Sequence, residues 1–127
     1  MYSWYFLKDS PSTGSGHRHD WEKVIIWFDK QGKPYRTYLS AHSSFSSKSW
    51  AKTLMDNTRP LVKYVAYWPL NHELAFTTTK GGSQPMVDWA TMSSRVQRGL
   101  KNADFGEANV PFIPSNYEKS LADTFPF

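Results

Sequence analysis

The sequence predicts one mostly antiparallel β domain with helices toward its C-terminal end. Three observations predict it. Short runs of Tyr, Trp, Phe, Val and Ile recur between clusters of Gly, Pro, Asp and Ser, and such residues suit a pleated, half-buried surface. Beyond about residue 90 the apolar spacing lengthens from strand-like to helix-like. The 127 residues suffice for one core and are too few for two.

The elements follow in order. Residues 2–7 (YSWYFL) read as a buried strand, ended by the turn cluster Asp9 to Gly16. Residues 19–28 and 35–41 read as strands joined through Asp29 to Pro34. The Ser-rich stretch 42–59 reads as a loop. Leu61 to Trp68, stopped by Pro69, and Glu73 to Thr79 read as strands. Asp88-Trp89 reads as a turn with a core Trp. Met92, Val96 and Leu100 share a helical face, which predicts a helix over 92–103. Ser115 and Glu118 fit a capping box, with Ser115 as N-cap, for a last helix to about 123.

Composition narrows the function classes. A net charge of +4 without a basic run interleaved with aromatics gives no footprint for nucleic acid. No cysteine is present, so thiolate metal sites and a Cys nucleophile are excluded from this chain. No stretch reaches the roughly 20 apolar residues of a spanning helix. MYSWYFLKDS lacks the basic and apolar regions of a signal peptide.

Chemistry concentrates in Gly16-His17-Arg18-His19-Asp20-Trp21-Glu22. On a strand, Asp20 and Glu22 point to one face. Two carboxylates that close repel unless a cation or a basic partner lies between them. Asp9, across a turn containing Gly14 and Gly16, can bring a third carboxylate. Oxygen donors of this kind suit Ca²⁺ or Mg²⁺ better than Zn²⁺. The bland alternative is a solvated strand face with the acids paired to Arg18 and Lys23. A cupin-like HxH enzyme site is disfavoured, because Glu22 has opposite parity to His17 and His19. His19 and Trp21 face away from the acids and serve as support, while Arg18 is placed to neutralise an acid or touch a phosphate.

GHRHDWE at 16–22 resembles the hallmark heptapeptide of the necrosis- and ethylene-inducing-protein-like (NLP) family of cytolysins. MYSWYFLKDSPSTGSGHRHDWE at 1–22, VAYWPLNHELAFT at 65–77 and DFGEANVPFIPSNYEKSLA at 104–122 are also similar to it. The resemblance implies a β-sandwich, actinoporin- and fungal-lectin-like, with flanking C-terminal helices. It implies a secreted toxin and not an enzyme. Its implied target is the glycosylinositol phosphorylceramide headgroup of plant plasma-membrane sphingolipids, bound through Ca²⁺ or Mg²⁺. Carried onto this chain, the cation ligands are Asp9, His17, Asp20 and Glu22, and the headgroup and membrane contacts are Trp68, Asn71 and His72. The family's central peptide, here within 1–22, is also sensed by plant pattern-recognition receptors, so a non-cytotoxic immune elicitor is the alternative function.

The chain departs from the family pattern in three ways. It looks short at the N-terminus, so an incomplete sandwich that is unstable or aggregates alone is expected. Leu7 replaces a usual Pro. Asn71 stands where many members have Asp, which puts toxicity in question.

Overall fold

A curled antiparallel sheet carries the molecule. The computed structural model describes residues 1–9, 16–67 and 71–127, with Asp9 and Asn71 described by backbone alone. β1 (Tyr2–Asp9) pairs along its length with β2 (His17–Phe28), from Tyr2 opposite Val24 to Asp9 opposite His17. β2 turns into β3 (Pro34–Ala41). The Asp29 carboxylate fixes this turn by accepting from the Gln31 and Lys33 amides at 2.9 and 2.8 Å, and Gly32 supplies the φ of 75° it needs. β3 continues through His42 and Ser43 into β4 (Ser44–Ser49).

A 3₁₀ turn at Trp50–Lys52 and a small ribbon of β5 (Met55–Asp56) and β6 (Arg59–Pro60) follow. β7 (Val62–Tyr67) and β8 (Asn71–Phe76) form the last hairpin. The order in the main sheet is β1-β2-β3-β8-β7, with β4 also paired to β3. Phe6 of β1 stacks on Tyr64 of β7 with ring centroids 4.1 Å apart. Strands at opposite ends of that order meet through their side chains only if the sheet curls. Inside the curl lie Val24, Leu39 and Leu74, with Trp4, Ile26, Val62, Tyr64 and Phe76 packed against them.

One branch point shapes the site. Ala41 pairs with Ser44 on one edge and with Glu73 on the other. β2 uses that second edge of β3 only from Leu39 back to Pro34. β2 and β3 therefore part beyond Val24 and Leu39, and β8 enters the gap.

The outer face of β1 and β2 is covered by the C-terminal third. Tyr5 and Trp21 pack against Phe105, and Trp21 and Trp89 against Phe112. α1 (Ser94–Asn102) starts at Ser93, whose hydroxyl accepts from the Val96 amide. α2 (Pro114–Thr124) lies over β2, where Trp27 Nε1 donates to Thr124 Oγ1 at 3.0 Å.

The mainly β class with C-terminal helices agrees with the sequence reading, and three local expectations are corrected. The stretch 42–59 is not a loop, because Ser44–Ser49 is a strand. Its polar sequence hid it: among the described residues only β3 pairs with it and most of its residues are exposed, so it needs no apolar alternation. Ser115 is not the N-cap. The last helix starts at Pro114, whose fixed φ suits a first turn, after Ile113 without a side-chain cap. The final strand ends at Phe76, short of Thr79. At Asp88-Trp89 the Asp88 carboxylate accepts from the Ala90 amide and opens a short 3₁₀ turn.

Thr124 is 1% exposed, accepts from Trp27 and donates to the Ser120 carbonyl at 2.8 Å. Thr124→Val leaves the Trp27 N–H without its acceptor. Urea denaturation should show a loss of about 1–2 kcal/mol, with Thr124→Ser close to wild type. Equal stability of Thr124→Val and wild type would contradict a role for this bond in seating α2.

Candidate functional site

Strand register brings the acids together as parity requires. Trp4 lies opposite Glu22 and Phe6 opposite Asp20, so both carboxylates take the inner face with Val24. Asp20 Oδ2 accepts from Tyr64 Oη at 3.0 Å. Tyr64 in turn lies flat on His72, with ring centroids 5.4 Å apart and planes 5° apart. Burial, and then the neighbouring Asp20, hold the Tyr64 phenol well above its ordinary value. It stays a hydrogen-bond donor to Asp20 throughout the physiological range.

Glu22 is 5% exposed and sits where β2 and β3 part. The Ser40 hydroxyl fills this opening. It accepts from the Lys23 amide at 2.8 Å and is hydrogen-bonded to Glu22 Oε2. Burial pushes the Glu22 carboxyl up to about 7; the Ser40 hydrogen bond opposes this, while Asp20 and Glu73 add to it. A shift of that size sets roughly 3 kcal/mol against the charged form. Lys23 opposes the shift too but is outweighed by burial. The pocket thus carries an excess of buried oxygen donors, the condition that a hard divalent cation relieves. The donor set fits Ca²⁺ or Mg²⁺ in chemistry. Among the described residues, no three His, Asp or Glu side chains are grouped closely enough to hold an ion.

The remaining sequence candidates fall into two groups. His17 opens β2 opposite Asp9, and its Nδ1 donates to the His19 carbonyl at 2.8 Å. That carbonyl is set by a left-handed His19, at φ 67°. His19 and Trp21 face away from the acids as expected. The Tyr5 hydroxyl is bonded to His19 Nδ1, and both His19 and Trp21 pack edge-on to Phe105. Arg18 is exposed opposite Lys8. His72 is 5% exposed, and burial lowers its pKa, so it is a packed inner-face residue and not a free loop histidine. Trp68 and the side chains of Asp9 and Asn71 lie outside the described residues.

Three residues of the pocket escaped sequence reasoning: Ser40, Tyr64 and Glu73. Each reaches the acids across strands distant in sequence, and no local spacing announces them. The only available signal was the mismatch of a Ser and a Tyr at inward positions of apolar strands.

The model of the family described as necrosis inducing protein (NPP1) matches residues 1–124. NLP effector protein 13 of Phytophthora capsici is 44% identical, over 100% of this chain and 97% of the relative. NLP effector protein 7 of the same organism is 42% identical, over 100% of this chain and 42% of the relative. A solved structure described as a toxin fold, the basis for microbial attack and plant defense, superposes with a TM-score of 0.89. It is 43% identical, over 98% of this chain and 59% of the other. NLPPya in complex with glucosamine gives 0.90 at 43% identity, over 98% and 60%. A non-toxic HaNLP3 protein gives 0.88 at 31% identity, over 99% and 61%. The curled sheet with its two helices is this toxin fold.

The Glu22 shift predicts a pH dependence. The folded state keeps its proton to about pH 7, while the unfolded chain releases it near 4.5. Between those values the folded state holds more protons, so this group's contribution falls as pH rises. His72 acts oppositely, because its depressed pKa favours folding as pH rises toward 6.5. The difference between wild type and Glu22→Gln isolates the carboxyl. In EDTA, from pH 4.5 to 8, wild type should lose up to about 3 kcal/mol relative to Glu22→Gln. A difference that is flat, or of opposite sign, in urea titrations would show that Glu22 is not held protonated.

Proposed function

Given that this chain belongs to the necrosis inducing protein (NPP1) family, we propose that it is a secreted, non-enzymatic effector. In this reading it binds a sugar headgroup of plant plasma-membrane sphingolipids, the glycosylinositol phosphorylceramides, through a divalent cation and so damages the membrane. The observation that carries it is the pair Asp20 and Glu22 on one inner face, with Glu22 buried and its carboxyl pushed up to about 7 by that burial. Ca²⁺ or Mg²⁺ would be held by these carboxylates, with Asp9 and His17 from the facing ends of β1 and β2. The cation would supply a Lewis-acidic centre for sugar hydroxyls. The protein's own residues fix the donors: Tyr64 orients Asp20, Ser40 orients Glu22, and the left-handed His19 turns His17. His72, stacked beneath Tyr64, would border the sugar with Trp68 and Asn71. The glucosamine complex of NLPPya supports a sugar as ligand.

A second reading rests on a specific observation. The non-toxic HaNLP3 protein shares the fold at a TM-score of 0.88, so fold alone does not decide cytotoxicity. This chain would then act on plants as an immune pattern, through receptor recognition of residues 1–22.

Leaf infiltration separates the two. The folded chain should cause necrosis that Asp20→Asn abolishes. A synthetic peptide of residues 1–22 should give an immune response without necrosis. Necrosis undiminished in Asp20→Asn would refute the cation-site reading. Absence of necrosis from folded wild type, with a response to the peptide, would favour the elicitor.

A further inference from the structure

Three strands of the main sheet have a free edge among the described residues. β1 and β7 end the strand order, and β4 pairs only with β3. A free edge offers unpaired N–H and C=O groups, and proteins commonly blunt it with a charge or a proline inside the strand. β4 has Lys48 within it and β7 has Lys63. β1 has neither device from Tyr2 to Leu7 (YSWYFL), and its charges, Lys8 and Asp9, come only at its end. Tyr2, Tyr5 and Leu7 are 44%, 38% and 70% exposed. Trp4 and Phe6 are only partly buried. With Val62, Tyr64 and Leu74 they line a cavity of about 220 Å³. That is below the roughly 300 Å³ at which ligand pockets begin, so the cavity suits an apolar side chain laid over it better than a small molecule.

We propose that β1 is a self-association edge: two copies of this chain pair β1 with β1, antiparallel, about a two-fold axis at Tyr5. The joined sheet then runs β2-β1-β1-β2. Directly opposed residues of an antiparallel pair share a face, and a slip of one residue would set inner against outer side chains. An axis at Tyr5 sets Trp4 of each copy beside Phe6 of the other. The four inner aromatics become one apolar strip along the cavities. Lys8 of each copy falls at the rim beside Tyr2 of the other, where the ring can take the ammonium. The two Lys8 side chains lie at opposite ends of the strand pair, so no like charges meet. A register two residues further would instead lay Lys8 on Trp4, over the apolar strip. This contact uses the same surface on both copies and closes after two. It gives a dimer in place of the open aggregation expected of an incomplete sandwich. One pair of eight-residue strands is at the small end of specific interfaces, where association is weak and reversible. The proposal does not rest on the headgroup reading.

Sedimentation velocity of the 127-residue chain, from about 1 to about 100 µM, tests this together with amide hydrogen exchange. Wild type should pass from monomer to dimer, with no larger species. Exchange of the amides of residues 2–7 should slow at the high concentration, while those of β4 and β7 stay unchanged. Two variants read the register. Tyr2→Lys sets like charges opposite each other twice in the dimer, and Tyr2→Glu, which loses the same ring, sets opposite charges there. Tyr2→Lys should therefore dimerise roughly tenfold more weakly than Tyr2→Glu, and the difference should shrink as salt is raised. A wild type that stays monomeric throughout overturns the proposal. So does growth beyond the dimer, which would mean β1 pairing with a different edge, and so does equal dimerisation of the two Tyr2 variants. If either variant fails to fold, the wild-type exchange still decides: protection of residues 2–7 that does not change with concentration overturns the proposal.

Discussion

The parting of β2 and β3 beyond Val24 and Leu39 governs the candidate site. Had the two strands stayed paired to their ends, Glu22 would face an ordinary ladder. Because β8 enters the gap and pairs Glu73 with Ala41, Glu22 is left inside a branch of the sheet. It is buried, tied to Ser40, and within the field of Asp20 and Glu73. The same geometry draws β7 across, so that Tyr64 reaches Asp20 and covers His72. A local irregularity in hydrogen bonding thus places a charge where a regular sheet would place an apolar side chain.

The two faces of β1 and β2 divide the work. The inner face holds the acids. The outer face holds His19 and Trp21, packed with Tyr5 against Phe105 and Phe112. This aromatic layer explains why adjacent residues of one heptapeptide have different roles. Alternation sends neighbours to opposite sides, and the C-terminal segment covers one side while the other carries the acids. His19 joins the two, because its left-handed backbone presents its carbonyl to His17.

Much of this was legible in the chain. The heptapeptide stood out because acids, histidines and glycines rarely crowd a strand entrance, and parity alone separated Asp20 and Glu22 from His19 and Trp21. The β class and both helices followed from apolar spacing. What stayed hidden was long-range. Ser40 and Tyr64 meet the acids through pairings 18 and 44 residues apart, which no local window contains. The strand Ser44–Ser49 was missed because a polar edge needs hydrogen bonds from a neighbour and no apolar face of its own. Ser115 matched a capping pattern, but Pro114 one residue earlier already suited the first turn.

The central claim is that the Asp20 and Glu22 carboxyls, set on one inner face, serve to hold a divalent cation. Calorimetric titration of Ca²⁺ and Mg²⁺ at pH 8 into wild type and Glu22→Gln tests it most directly. The account predicts stoichiometric binding of one ion by wild type, and at least a tenfold loss when one carboxylate charge is removed. Equal binding by both proteins, or none by a folded wild type, would contradict it.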